Sequence, residues 1–122
     1  MATRRILLID DDPLVRGVLG RTLARLGCDV AVVGSPHEGL ARATSEEFDA
    51  VITDLALPGL DGISLAGRLG ESGTAAPIGL VTGHGLDDGT RVRAQSAGVR
   101  AILPKPFTVD DVRRFLERLL PA

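Results

Sequence analysis

Five short apolar runs, RILLI (5–9), VAVV (30–33), AVIT (50–53), IGLVT (78–82) and VRAIL (99–103), recur along the 122 residues and constrain the fold more than any other feature. They are mostly continuous rather than alternating, the pattern of strands buried on both faces. Between them lie stretches with helical spacing. PLVRGVLGRTLARLG places Leu14, Val15, Val18, Leu19, Leu23 and Leu26 on one broad stripe, with Gly27 as a stop. In SPHEGLARA, Ser35 reads as an N-cap, Pro36 as the first helical residue and Glu38 as the return half of a capping box. Thr108 and Asp111 repeat that logic ahead of a helix expected to bury Val112, Phe115, Leu116 and Leu119. The two middle helices, after Asp61 and around Asp87–Ala97, are glycine-rich. Glycine is about 1 kcal/mol worse than alanine in a helix interior, so both are expected to be weak. Five strand–helix alternations predict an α/β fold, a five-stranded parallel sheet with helices on both faces. In such sheets function collects at the carboxyl ends of the strands.

Those ends carry the chemistry. Asp10, Asp11 and Asp12 follow the first run, Asp54 follows the third, Thr82 ends the fourth and Lys105 follows the fifth. Asp12 directly precedes Pro13, so it reads as the N-cap of the first helix. The other three carboxylates and the lysine leave a net double negative charge that a divalent cation would cancel. Oxygen-only ligands select a hard ion, and Mg²⁺ commonly takes one or two carboxylates with waters and a phosphate oxygen.

The remaining composition mostly excludes. Net charge is −2, from 14 basic and 16 acidic residues, which gives no support to nonspecific nucleic-acid binding. Phe48, Phe107 and Phe115 are the whole aromatic complement, too few for base-stacking platforms. No apolar run approaches the roughly 20 residues of a membrane span. The four apolar residues after MATRR are too few for a secretory signal. Cys28 stands alone, so neither a disulfide framework nor a thiolate metal cluster is available. The expectation is one domain over residues 1–122, cytoplasmic, with no output domain.

IDDDP, TDLALPGLDG, VTGHG and PKPF, in this order and each after a predicted strand, resemble the four signature blocks of receiver domains, the response-regulator half of two-component signalling. The resemblance runs from about Arg4 to Leu120. It implies a flavodoxin-like fold with strand order 2-1-3-4-5. It also implies that Asp54 is the phosphoacceptor, taking a phosphoryl group from a sensor histidine kinase or a histidine phosphotransfer protein. Asp11 would bind Mg²⁺ directly, Asp10 mainly through water, and the Ala56 backbone carbonyl would be a further ligand. Thr82 and Lys105 would contact phosphoryl oxygens, and the Lys105–Pro106 bond would be cis. Ala56, Gly83 and His84 would flank the phosphoryl group, with small Ala56 leaving the site open and His84 a titratable lid. Such a protein is no enzyme beyond its own phosphorylation and dephosphorylation. The face of the fourth helix, fifth strand and fifth helix would dock a downstream protein or a second copy in a phosphorylation-dependent homodimer. Arg91, Arg93, Arg113, Arg114 and Arg118 would give that face a basic character.

One position departs from the family. Many receivers carry an aromatic three residues before the lysine, coupled to the Thr or Ser; here it is Ile102. A β-branched side chain is stiff at χ1, so an aromatic flip cannot relay the signal, and a rearrangement of the Gly83–Gly85 loop is expected instead. Two other classes fit less well. A haloacid-dehalogenase-like Mg²⁺ phosphohydrolase would use Asp10 and Asp12 as a D-x-D pair, but needs a longer core. A flavodoxin-like nucleotide-binding module would place an anion beside DDDP, which repels it.

Overall fold

The computed structural model describes residues 3–83 and 85–120. Strands β1 (Arg4–Ile9), β2 (Cys28–Val33), β3 (Ala50–Asp54), β4 (Ile78–Thr82) and β5 (Val99–Pro104) alternate with helices α1 (Pro13–Arg25), α2 (Pro36–Ser45), α3 (Gly62–Glu71), α4 (Asp88–Ser96) and α5 (Val109–Leu119). All strand pairs are parallel, in the order β2-β1-β3-β4-β5. This is the order the resemblance implied. It puts β1 beside β3, so the residues following Ile9 and those ending β3 meet at one sheet edge.

The continuity of the apolar runs has the cause anticipated in β1, β3 and β4, while the edge strands β2 and β5 are only partly buried. Successive side chains on a strand point to opposite faces. Leu7, Ile9 and Val51 enter one core cluster with Ile63, Leu65 and Leu69 of α3. Ile6, Leu8 and Ile52 enter a second with Leu19 and Leu23 of α1 and with Val112, Phe115, Leu116 and Leu119 of α5. Both faces are therefore covered by helices, and no strand position in the middle of the sheet can be polar without a partner.

Helix boundaries follow their caps. Asp12 accepts the Leu14 amide at 2.9 Å, with Pro13 opening α1. Thr108 and Asp111 form the expected reciprocal box at the start of α5. Ser35 caps α2, but Glu38 receives the Ser35 hydroxyl at 3.3 Å rather than closing a box on its backbone amide. Gly27 adopts φ +92 just past α1, a left-handed stop that glycine takes without penalty.

Two expectations about helices need correction. On α1 only Leu19 and Leu23 are fully buried, while Leu14 is 73% and Val18 41% exposed. The pairs 14/18 and 19/23 lie on rows about 140° apart at 3.6 residues per turn, and only the second row meets the sheet. The glycine-rich middle helices are also unequal. α3 buries Ile63, Leu65, Ala66 and Leu69 and is anchored in the core despite its glycines. α4 buries Ala94 alone.

Candidate functional site

Strand register brings the acids together. Asp10 follows β1, Asp54 closes β3, and one carboxylate oxygen from each of Asp10, Asp11 and Asp54 lies within 4.8 Å of the others. Asp10 is 1% and Asp54 6% exposed, whereas Asp11 faces solvent. Lys105, just beyond β5, points its Nζ at Asp54 Oδ1 from 3.4 Å. Its backbone amide donates to the Thr82 carbonyl at 2.7 Å, tying the ends of β4 and β5 together. Thr82 is itself buried, at the carboxyl end of β4. The Lys105–Pro106 bond is cis, as the resemblance implied.

Asp10 shows what the cluster lacks. Its Oδ1 accepts the Asp12 amide at 2.9 Å, while its Oδ2 is buried with no hydrogen-bond partner among the described residues. Burial, above all, holds the Asp10 carboxyl above the usual aspartate range, and the nearby charges of Asp54 and Asp11 push the same way. The Asp12 hydrogen bond and Lys105 only partly oppose this. A buried, unpartnered carboxylate oxygen beside two further carboxylates is a donor set for a hard dication. The residues fit Mg²⁺: oxygen ligands only, and an excess of negative charge.

Asp12 is not part of this cluster, since its side chain caps α1. That removes the pairing a D-x-D phosphohydrolase would need. Its backbone, however, holds Asp10 in place, a role the sequence signalled only through the unbroken acid triplet. Ala56, two residues after Asp54, and Gly83, directly after Thr82, are both exposed. His84 lies outside the described residues. Ile102 is half-buried on β5 and, with Thr82, Leu86 and Ala94, lines a cleft of about 400 Å³ rimmed by Arg91, Arg100 and Arg118. The basic face is narrower than its five arginines suggested. Arg113 pairs with Asp110 at 2.7 Å, Arg114 with Asp111 at 3.0 Å, and Arg93 reaches Asp61 at 3.9 Å.

Comparison with known proteins agrees with this geometry. The family model described as "Response regulator receiver domain" matches residues 6–117. The C4-dicarboxylate transport transcriptional regulatory protein DctD of Pseudomonas aeruginosa is 37% identical over 120 residues. The match covers 95% of this chain but 26% of that protein, so the chain spans about a quarter of this relative's length. Among solved structures, the chemotaxis response regulator CheY4 of Vibrio cholerae superposes with a TM-score of 0.87 at 25% identity, covering 98% of this chain and 100% of that one. The receiver domain of sensor histidine kinase PA1611 from Pseudomonas aeruginosa, with magnesium coordinated in its active-site cleft, gives 0.84 at 32% identity, covering 97% and 98%.

Proposed function

Since the chain belongs to the response-regulator receiver family, we propose that Asp54 is its phosphoacceptor and that the strand-end cluster is the site of transfer. One observation carries this reading: three carboxylates from two neighbouring strands converge within 4.8 Å, with one lysine ammonium 3.4 Å from the Asp54 carboxylate. A carboxylate in such a place is a competent nucleophile. An Asp54 oxygen attacks phosphorus, the P–N bond of a donor phosphohistidine breaks, and the imidazole leaves with the bonding pair and takes up a proton. Asp11, Asp54 and the Ala56 carbonyl, with Asp10 behind them, would hold Mg²⁺, which when bound would supply charge neutralisation for the transferring group.

The protein's own groups do the rest. Lys105 already neutralises Asp54 and offers a point charge to a phosphoryl oxygen. The Thr82 hydroxyl, on the strand end whose carbonyl accepts the Lys105 amide, is the second phosphoryl contact. The donor is a sensor histidine kinase or a histidine phosphotransfer protein. The readout is a change in what binds the face of α4, β5 and α5, whether a downstream protein or a second copy of the chain. With Ile102 in place of an aromatic, the change travels through the backbone of the β4–α4 loop. Among the described residues, no helix is long and apolar enough to cross a membrane.

The test is phosphoryl uptake from a small acyl phosphate, followed by intact mass. One phosphoryl group should be gained with Mg²⁺ and none with EDTA, and Asp54→Asn should abolish the gain. Uptake that ignores Mg²⁺ or survives Asp54→Asn refutes the proposal.

A further inference from the structure

Two residues behind Asp54 hold its main chain rather than its carboxylate. Thr53 is wholly buried and shares the sheet face of Val51, against α3. Its hydroxyl donates to the Asp54 carbonyl oxygen at 3.0 Å. The next carbonyl, that of Leu55, accepts the Gly62 amide at 2.9 Å, while the Leu55 amide donates to Val81 at 2.8 Å. Gly62 opens α3 directly against Asp54. A methyl group there would overlap the Asp54 carbonyl oxygen, and would stand 3.1 Å from its carbonyl carbon and 2.9 Å from Leu80 Cδ1. Main-chain atoms of a central strand cannot move aside as the end of a flexible side chain can. Gly62 also lacks positive φ, so close approach and not backbone conformation demands glycine here.

We propose that Thr53 and Gly62 are positioning residues for the site. The two carbonyls they hold belong to the consecutive peptide groups that lead from Asp54 to Ala56. Fastening both sets the direction in which the Asp54 carboxylate and the Ala56 carbonyl face each other. The inference rests on the reading of Asp54, Asp11 and Ala56 as Mg²⁺ ligands, and adds what keeps two ligands only two residues apart in register. It also couples the first turn of α3 rigidly to the site.

The test uses four variants of the full chain. Mg²⁺ affinity is followed by amide chemical shifts, phosphoryl uptake by intact mass, and melting in EDTA. Thr53→Val removes the hydroxyl and keeps the shape. It should melt close to wild type but bind Mg²⁺ and accept phosphoryl roughly fivefold less well, the worth of about one hydrogen bond. Thr53→Ser restores the donor and should recover wild-type values. Gly62→Ala should lose roughly tenfold or more in both, because sub-ångström to 1 Å displacements of a reacting group are costly. Leu119→Ala, a core truncation at the far end of α5, should lower the melting temperature and leave Mg²⁺ affinity unchanged.

Wild-type affinity and uptake in Thr53→Val overturn the inference, as does a Thr53→Ser that behaves like Thr53→Val. A loss of Mg²⁺ affinity in Leu119→Ala equal to that in Gly62→Ala overturns it too, by showing that global stability is responsible. If Gly62→Ala does not fold, the Thr53 pair decides. A wild-type chain that binds no Mg²⁺ overturns the underlying reading as well, whereas normal wild-type binding matched by Thr53→Val and Gly62→Ala overturns this inference alone.

Discussion

Replacing Asp10 by Asn is expected to stabilise the metal-free protein while weakening its hold on Mg²⁺. Asp10 is 1% exposed, and its carboxylate oxygen lies within 4.8 Å of those of Asp11 and Asp54. At an effective dielectric of about 20, each such like-charge pair costs about 3.5 kcal/mol. Lys105, at 3.4 Å from Asp54, offsets part of this, and solvent screens exposed Asp11. A net gain of about 2 kcal/mol on removing the charge is reasonable under those opposing effects. Asn keeps an oxygen to accept the Asp12 amide, and puts a neutral N–H₂ in place of the unpartnered Oδ2. For a chain of this size the gain corresponds to a rise of roughly 6–10 °C in Tm. The assay is thermal melting at pH 7, in EDTA and again in excess Mg²⁺. Mass action should then raise the Tm of wild type more than that of Asp10→Asn. A lower Tm for Asp10→Asn in EDTA, or equal stabilisation of both by Mg²⁺, would refute the electrostatic reasoning.

Other elements give independent checks. Hydrogen bonds from Arg42 and then from Arg5 lower Glu46 from 4.5 to about 2, so its stabilising contribution is full above the unfolded value and lost as pH falls through the folded one. The Tm gap between wild type and Glu46→Gln should accordingly narrow between pH 4.5 and 2; a constant gap in pH-resolved melts contradicts this. Phe115→Ala removes the largest wholly buried side chain and should cost about 3–5 kcal/mol in urea unfolding; a loss under about 1 kcal/mol would mean the α5 face packs loosely. Thr108→Ala breaks the α5 capping box and should cost about 1 kcal/mol by the same measurement; no change would mean that Asp111 alone suffices.

Much of the fold was legible because buried parallel strands and capped helices leave local marks. The runs of β1, β3 and β4 were continuous because both sheet faces are covered there, whereas edge strand β5 alternates in burial and β2 leaves Val32 exposed; Asp12–Pro13 and Thr108–Asp111 announced their helices through side chains that satisfy end amides. The misses have physical causes too. Leu14 and Val18 fit the helical stripe, but sequence spacing does not say which row of a broad stripe meets the sheet. Counting glycines made α3 look as weak as α4, yet the apolar residues between them bury α3 in the core. The acidic cluster was legible because like charges at strand ends are rare without a reason. Thr53 and Gly62 were not, since hydrogen bonds to main-chain carbonyls leave no pattern in composition or period. The pairing of Arg113 and Arg114 with Asp110 and Asp111 follows helical spacing of three and four, a signal present in the sequence but outweighed by the basic count.

The most direct measurement of all is to locate the phosphoryl group. Reducing the phosphorylated protein with borohydride converts an aspartyl phosphate to homoserine, whose position peptide sequencing then reads. The account predicts homoserine at position 54, dependent on Mg²⁺ during loading, with aspartate retained at 10 and 11. Homoserine at either of the first-strand acids, or at position 54 after loading in EDTA, would contradict it.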